Sequence, residues 1–155
     1  MSFKKLKPYL ISIVIALAAG GIGGYITYRG LPAYEVLVKP PLTPPFWLFP
    51  IVWCILYILM GISAAMVWKS SKQWNYALSV YATQLVVNVL WSVFHFGMEQ
   101  YLLSFIWLIF LWVLIILMII AFRSINKTAA WLQIPYLLWT TFAAYLNFGI
   151  WMLNK

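Results

Sequence analysis

Five apolar stretches of about 20 residues fill nearly all of this 155-residue chain, with only short polar segments between them. A stretch of that length, wound as an α-helix, matches the hydrocarbon thickness of a bilayer. The stretches run approximately over Tyr9–Tyr28, Phe46–Trp68, Tyr76–Phe96, Tyr101–Phe122 and Thr128–Met152. They are continuously apolar, whereas the strands of a membrane barrel are about 10 residues long and alternate in polarity. The expected fold is an all-α integral membrane protein, a five-transmembrane-helix bundle forming one domain over residues 1–155. Composition supports it: 66% of residues are hydrophobic and 8% charged, against about a quarter charged in a soluble domain.

The net charge of +8 does not point to nucleic acid. The ten basic residues sit singly or in small groups at the ends of apolar runs, which is where membrane-anchoring charges belong. Seven of them (Lys4, Lys5, Lys7, Lys69, Lys72, Arg123 and Lys127) fall on one side of the predicted bundle, and Arg29, Lys39 and Lys155 on the other. The positive-inside rule then places the N-terminus in the cytoplasm and the C-terminus outside. Short loops and a basic N-terminus fit a bacterial plasma membrane. Lys4, Lys5 and Lys7 before an apolar run that reaches Ala18-Ala19-Gly20-Gly21 could also open a secretory leader. The run continues to Tyr28, however, and a retained first helix is the expectation.

The predicted spans hold no Asp, Glu, Lys or Arg at mid-depth, and the two acids, Glu35 and Glu99, lie in loops. Ion-coupled transporters, pumps and voltage sensors usually carry such groups within the membrane. No Ser/His/Asp set, phosphate-cradling glycine loop or metal-ligand spacing occurs, so conventional hydrolysis and phosphoryl transfer are excluded and no metal site is expected. Cys54, the single cysteine, reads as a small buried hydrophobe.

Uncharged polar and aromatic residues are left to carry function. Gln84, Asn88, Ser92 and His95 share one face of the third span, with Trp91 beside them. Trp139, Ala143, Asn147 and Trp151 recur every four residues in the fifth span, and Trp53, Tyr57 and Gly61 do so in the second. An amide in lipid must find a hydrogen-bond partner. These faces therefore either glue the helices together or converge on a mostly apolar small-molecule pocket. The deep tryptophans Trp53, Trp91, Trp107, Trp112 and Trp139 are open to the same two readings. Trp47, Trp68, Trp74, Tyr76, Tyr101, Trp131 and Trp151 lie at span ends, as an interfacial belt does. His95 is either a hydrogen-bonded core residue or an axial haem ligand. Gly20 and Gly24, four apart, offer a groove for close helix packing, within the bundle or across a homodimer seam. Pro135 is expected to kink the fifth span. Residues 29–45 contain Lys39-Pro40-Pro41-Leu42-Thr43-Pro44-Pro45 and form either a stiff tether or a lid over the bundle, with Tyr34 and Pro44 beneath it.

Several of these residues together resemble the TspO/MBR family of tryptophan-rich sensory and translocator proteins. The resemblance rests on Lys39-Pro40-Pro41, Thr43-Pro44-Pro45, Trp53, Tyr57 and Gly61, on the run from Gln84 through Asn88 to Trp91-Ser92, and on Pro135-Tyr136, Trp139, Phe142-Ala143 and Leu146-Asn147. It implies a five-helix bundle, often dimeric, that binds porphyrins and haem-like tetrapyrroles beneath the first loop, and in some members sterols or isoquinoline-type compounds. Carried over, the ligand site is lined by Tyr34, Pro44, Trp53, Tyr57, Gln84, Asn88, Trp91, Trp139 and Ala143, to which the helical spacing adds Asn147. Porphyrin or haem enters as ligand, with no resident cofactor. The implied role is a receptor or sensor for a flat apolar molecule. Light-dependent breakdown of protoporphyrin, or passive passage of tetrapyrroles or lipids, is the alternative. Many relatives have tryptophan where this chain has Ala33 and Leu42, and loop tryptophans are implicated in the light reaction. Lys155 stands ten residues after Tyr145, outside the reach of the short sterol motif.

Overall fold

A computed structural model describes residues 2–155 and is helical throughout its ordered elements, with no strand among the described residues. Helix α1 spans Phe3–Glu35, α2 Leu48–Ser71, α3 Tyr76–Ser92, α4 Tyr101–Ile125, α5 Lys127–Trp131 and α6 Ile134–Leu153. A π-helical turn, Val93–Gly97, continues α3. By length and composition α1, α2, α3 with its π turn, and α4 can each cross a membrane. The outward face of α4 shows why the surrounding solvent is lipid. Leu102, Leu103, Ile106, Ile109, Phe110, Val113, Leu117 and Ile120 are all exposed on it, as apolar as the inward row of Leu108, Leu111, Ile115 and Met118. Trp47, Trp68, Trp74, Tyr76 and Trp131 are exposed near helix ends, where an indole or phenol can meet the headgroups.

Three expected boundaries change. The first helix continues seven residues past Tyr28 to Glu35 and carries Pro32 within it, so the connecting segment is residues 36–47 and not 29–45. At 33 residues α1 is about 50 Å long, more than a bilayer core requires. The fifth stretch is broken at Leu132–Gln133 into α5 and α6, and Pro135 falls in the first turn of α6. A first-turn N–H has no helical acceptor, so the proline starts this helix and does not kink it. Asn75 and Asn126 fix two further starts: their side chains accept from the backbone N–H of Leu78 (3.1 Å) and Ala129 (3.0 Å).

The position of α1 depends on glycines. A Cβ on Gly61 of α2 would lie 2.5 Å from Ile13 Cα, and one on Gly20 2.5 Å from the Tyr57 ring. Farther along, a Cβ on Gly23 would lie 3.3 Å from the Ser92 hydroxyl, and one on Gly30 would run into the Phe96 backbone carbonyl. The helix thus leans on α2 in its first half and on α3 and the π turn in its second. Gly21 and Gly24 face open space, so the spacing of Gly20 and Gly24 does not form one continuous packed seam. The connecting segment is tied to α6. Asn154 exchanges two hydrogen bonds with the Val38 backbone (3.0 and 2.8 Å), Tyr145 Oη donates to Pro41 O (2.7 Å), and Pro40 fits the hollow left by Gly149.

Gly61→Ala is expected to destabilise the bundle by about 1–3 kcal/mol, because the opposing atoms are backbone and cannot yield. Gly21→Ala should be neutral or slightly stabilising. Thermal unfolding of both variants in detergent checks this; equal midpoints would contradict the packing described.

Candidate functional site

The crossing of α1 from α2 towards α3 leaves a cavity of about 470 Å3 between α1, α2, α3 and α6. That is within the range of small-molecule sites. Its wall is aromatic on one side, with Trp53, Tyr57, Trp91 and Phe96, and glycine-lined on the other, with Gly20, Gly21, Gly23 and Gly24. Trp53 stands 5.7 Å from Tyr57 and 6.3 Å from Trp91 between ring centroids, so the three form one contiguous surface. Leu17, Gly21, Gly24 and Cys54 line the cavity and are also exposed on the outside, so it opens sideways between α1 and α2. Cys54 is therefore an exposed residue at the rim and not a buried one.

Two hydrogen-bond networks hold the aromatic wall. In the first, Tyr57 Oη donates to Asn88 Oδ1 (2.9 Å), Asn88 Nδ2 to Tyr136 Oη (2.6 Å), and Tyr136 Oη to Gln84 Oε1 (2.8 Å). In the second, Trp91 Nε1 donates to Asn147 Oδ1 (3.0 Å) and Asn147 Nδ2 to Tyr101 O (2.9 Å). Ser104 Oγ lies 3.1 Å from the same Asn147 oxygen and 3.0 Å from His95 Nδ1. Both asparagines are almost fully buried and spend their amides on protein partners. They orient the aromatic side chains and leave the wall itself nearly free of unsatisfied polar groups, as a low-dielectric interior demands.

Of the expected site residues, Tyr34, Trp53, Tyr57, Asn88, Trp91, Ala143 and Asn147 meet around this cavity. Three lie outside its lining. Gln84 is fully buried behind the wall, its Nε2 3.9 Å from Met60 Sδ. Trp139 is half-buried with its ring edge-on to Phe49 (5.7 Å), and its buried Nε1 takes no partner among the described residues. Pro44 lines a separate hollow with Tyr34, Glu35, Lys39, Thr43, Pro45 and Phe46. Tyr34 and Phe46 belong to both spaces, so the proline-rich segment does border the cavity, through this hollow. Lys39 Nζ is held there by Glu35 O (3.0 Å) and Leu37 O (3.2 Å) and sits 4.9 Å from the Tyr34 ring centroid. The sequence reading missed Ser104 and Tyr136 as network members. Ser104 had a signal, being the one serine or threonine of the expected span Tyr101–Phe122.

Residues 12–152 match the profile of the TspO/MBR family. The chain belongs to that family. It is similar to the Tryptophan-rich protein TspO of Chlorobaculum tepidum, 40% identical over 97% of this chain and 98% of that protein. It is 37% identical to Protein CrtK of Rhodobacter capsulatus over 90% and 89% of the two chains. It is also 34% identical to the Translocator protein of Ovis aries, over 94% and 89%. Family membership and the apolar helices make this TspO/MBR chain an integral membrane protein.

Asn88→Ala should cost about 1–3 kcal/mol, because the Tyr57 and Tyr136 hydroxyls lose a partner in a buried site. Thr83→Ala, whose exposed hydroxyl only returns to Ser79 O (2.8 Å), should change nothing measurable. Denaturation of the two variants side by side checks the difference.

Proposed function

We propose that this TspO/MBR protein is a membrane receptor or sensor that binds a porphyrin or related tetrapyrrole in the cavity between α1, α2, α3 and α6. The observation that carries the reading is the contiguous wall of Trp53, Tyr57 and Trp91, held rigid from behind by Asn88 and Asn147 and facing a glycine-lined slot. A flat apolar ring fits such a slot, gains aromatic contact on one face, and meets no charge that must be desolvated. Lys39, beside Tyr34 and Phe46, lies where the ligand's carboxylates reach the water boundary, and an ammonium–carboxylate contact suits that position. The asparagines shape the slot and do not read the ligand's polar edge.

Helix α6, 20 residues and about 30 Å long, completes a five-span bundle in this reading, despite Thr140, Thr141 and Asn147 within it. In this reading the N-terminus and the α2–α3 and α4–α5 turns face the cytoplasm of a bacterial cell, a placement supported by the basic groups gathered there. The sideways opening between α1 and α2 supports a second reading, passive exchange of the ligand with the bilayer. In that case the ligand enters from lipid past Gly21, Gly24 and Cys54, and the sensor role requires no gate in the loop.

Titration of protoporphyrin IX into the detergent-purified protein in the dark should quench tryptophan fluorescence saturably. Trp53→Ala should weaken the affinity about tenfold, the equivalent of ~1.4 kcal/mol of lost ring contact. Bound porphyrin should also slow the modification of Cys54 by a small maleimide. An unchanged affinity in Trp53→Ala would remove the ligand from this cavity. Light-dependent products that require the tryptophans would move the function towards porphyrin breakdown.

A further inference from the structure

The basic residues at one end of the bundle are arranged in a way that the fold alone does not require. Both acids of the chain, Glu35 and Glu99, lie at the opposite end, so this end has seven basic side chains and no acidic one. All seven basic residues are exposed. Lys69 and Arg123 fall in the last turns of α2 and α4, where the helix dipole favours a cation. Three others stand against local preference. Lys4 and Lys5 occupy the first turn of α1, at the positive end of its dipole, and Lys72 takes a left-handed φ of 57°, which favours glycine. These charges cost the fold stability, and their partner lies outside the chain.

Contacts within the protein gather the charges around one rim. Lys69 Nζ sits 4.9 Å from the centroid of the Tyr9 ring, and Tyr9 lies one helical turn from Lys5. On the other side of α2, Asn126 Nδ2 donates to Ser70 Oγ (3.3 Å). That bond brings the α4–α5 turn, with Arg123 and Lys127, to the end of α2. Bases from α1, α2 and this turn therefore face one another and repel. Helix α1 is poorly placed to resist, since only Ala16, Gly23 and Tyr34 of its 33 residues are buried. An anion held between α1 and its neighbours would turn that repulsion into attraction.

Depth decides what kind of anion suits the rim. Trp68, Trp74, Tyr76 and Trp131 are exposed at the same end, and such residues mark the level of the headgroups. The bases thus lie where lipid phosphates lie. Directly beneath them the outer surface is apolar, with Leu6 and Leu10 on α1 and Leu117 and Ile120 on α4. An anionic head joined to an apolar tail matches both surfaces at once. A nucleic acid or an acidic polypeptide would match the charge and leave the apolar faces uncovered.

We propose that this rim binds an anionic phospholipid, whose phosphate bridges the bases of α1 to those of α2 and the α4–α5 turn and so holds α1 against the bundle. The contact is ionic and does not depend on what the cavity binds.

The test reconstitutes the full chain in phosphatidylcholine vesicles with a trace of spin-labelled phosphatidylglycerol or spin-labelled phosphatidylcholine. Electron paramagnetic resonance then reads the fraction of each label held at the protein surface. The native protein should hold the phosphatidylglycerol label roughly fivefold more strongly. The triple variant K4Q/K5Q/K7Q and the double variant R123Q/K127Q should each bring the preference close to one, because either removes one side of the bridge. The charge-conserving K4R/K5R/K7R and the opposite-end variant R29Q/K155Q should keep it. In mixed micelles phosphatidylglycerol should raise the unfolding midpoint of the native protein, and of K4R/K5R/K7R, but not that of the glutamine variants at the rim. Equal retention of the two labels by the native protein would overturn the proposal. A preference that falls only in proportion to the charges removed would replace the bridge by a diffuse field. Equal stabilisation by inorganic phosphate would show a site for simple anions and no role for the lipid.

Discussion

The structure depends on how closely α1 can approach its neighbours. Glycine at 61 and 20 lets it touch α2 in its first half, and glycine at 23 and 30 lets it touch α3 and the π turn in its second. Without a hydrophobic driving force between helices in lipid, such close contact is where association energy comes from. Because the two sets of contacts lie on different partners, α1 crosses diagonally, and the space it leaves beside α2 is the cavity. The same geometry explains the opening towards the bilayer. A Cβ at Gly21 or Gly24 would meet nothing within 4 Å, and both residues line that space.

The second requirement is a wall that does not collapse into that space. Large aromatic side chains along α2 and α3 could rotate to fill it, but Tyr57 and Trp91 are each pinned through their polar atoms by a buried asparagine. Asn88 joins α2, α3 and α6, and Asn147 joins α3, α4 and α6. Polar glue between helices and the shape of a binding site are thus one construction. The choice between glue and cavity, open from the spacing alone, resolves into glue behind and cavity in front.

Much of this was legible beforehand. Continuous apolar runs of bilayer length gave helices and their order, and i, i+4 spacing placed Tyr57, Asn88, Trp91, Ala143 and Asn147 on facing surfaces. What stayed hidden has physical causes. Helix α1 continues past Tyr28 because Arg29, Pro32 and Glu35 are tolerated in a helix that has left the apolar core, and hydropathy registers only that core. The break before α6 comes from Gln133 and Pro135 together, whereas a proline read alone suggests a kink. Cys54 sits at the rim because α1 departs from α2 there, a tertiary fact with no local sign. Gln84 and Trp139 share helix faces with cavity residues but lie away from the cavity itself, and spacing along one helix does not report depth.

The most direct test of the account fills the cavity without touching the networks behind it. Ala143 lines the space and makes no side-chain hydrogen bond, so Ala143→Phe places a ring in the slot while both asparagines keep their partners. Equilibrium binding of protoporphyrin IX to this variant, with unfolding followed in parallel, should show a folded protein whose saturable binding is lost. A folded Ala143→Phe protein that binds protoporphyrin as tightly as the native chain would contradict the account.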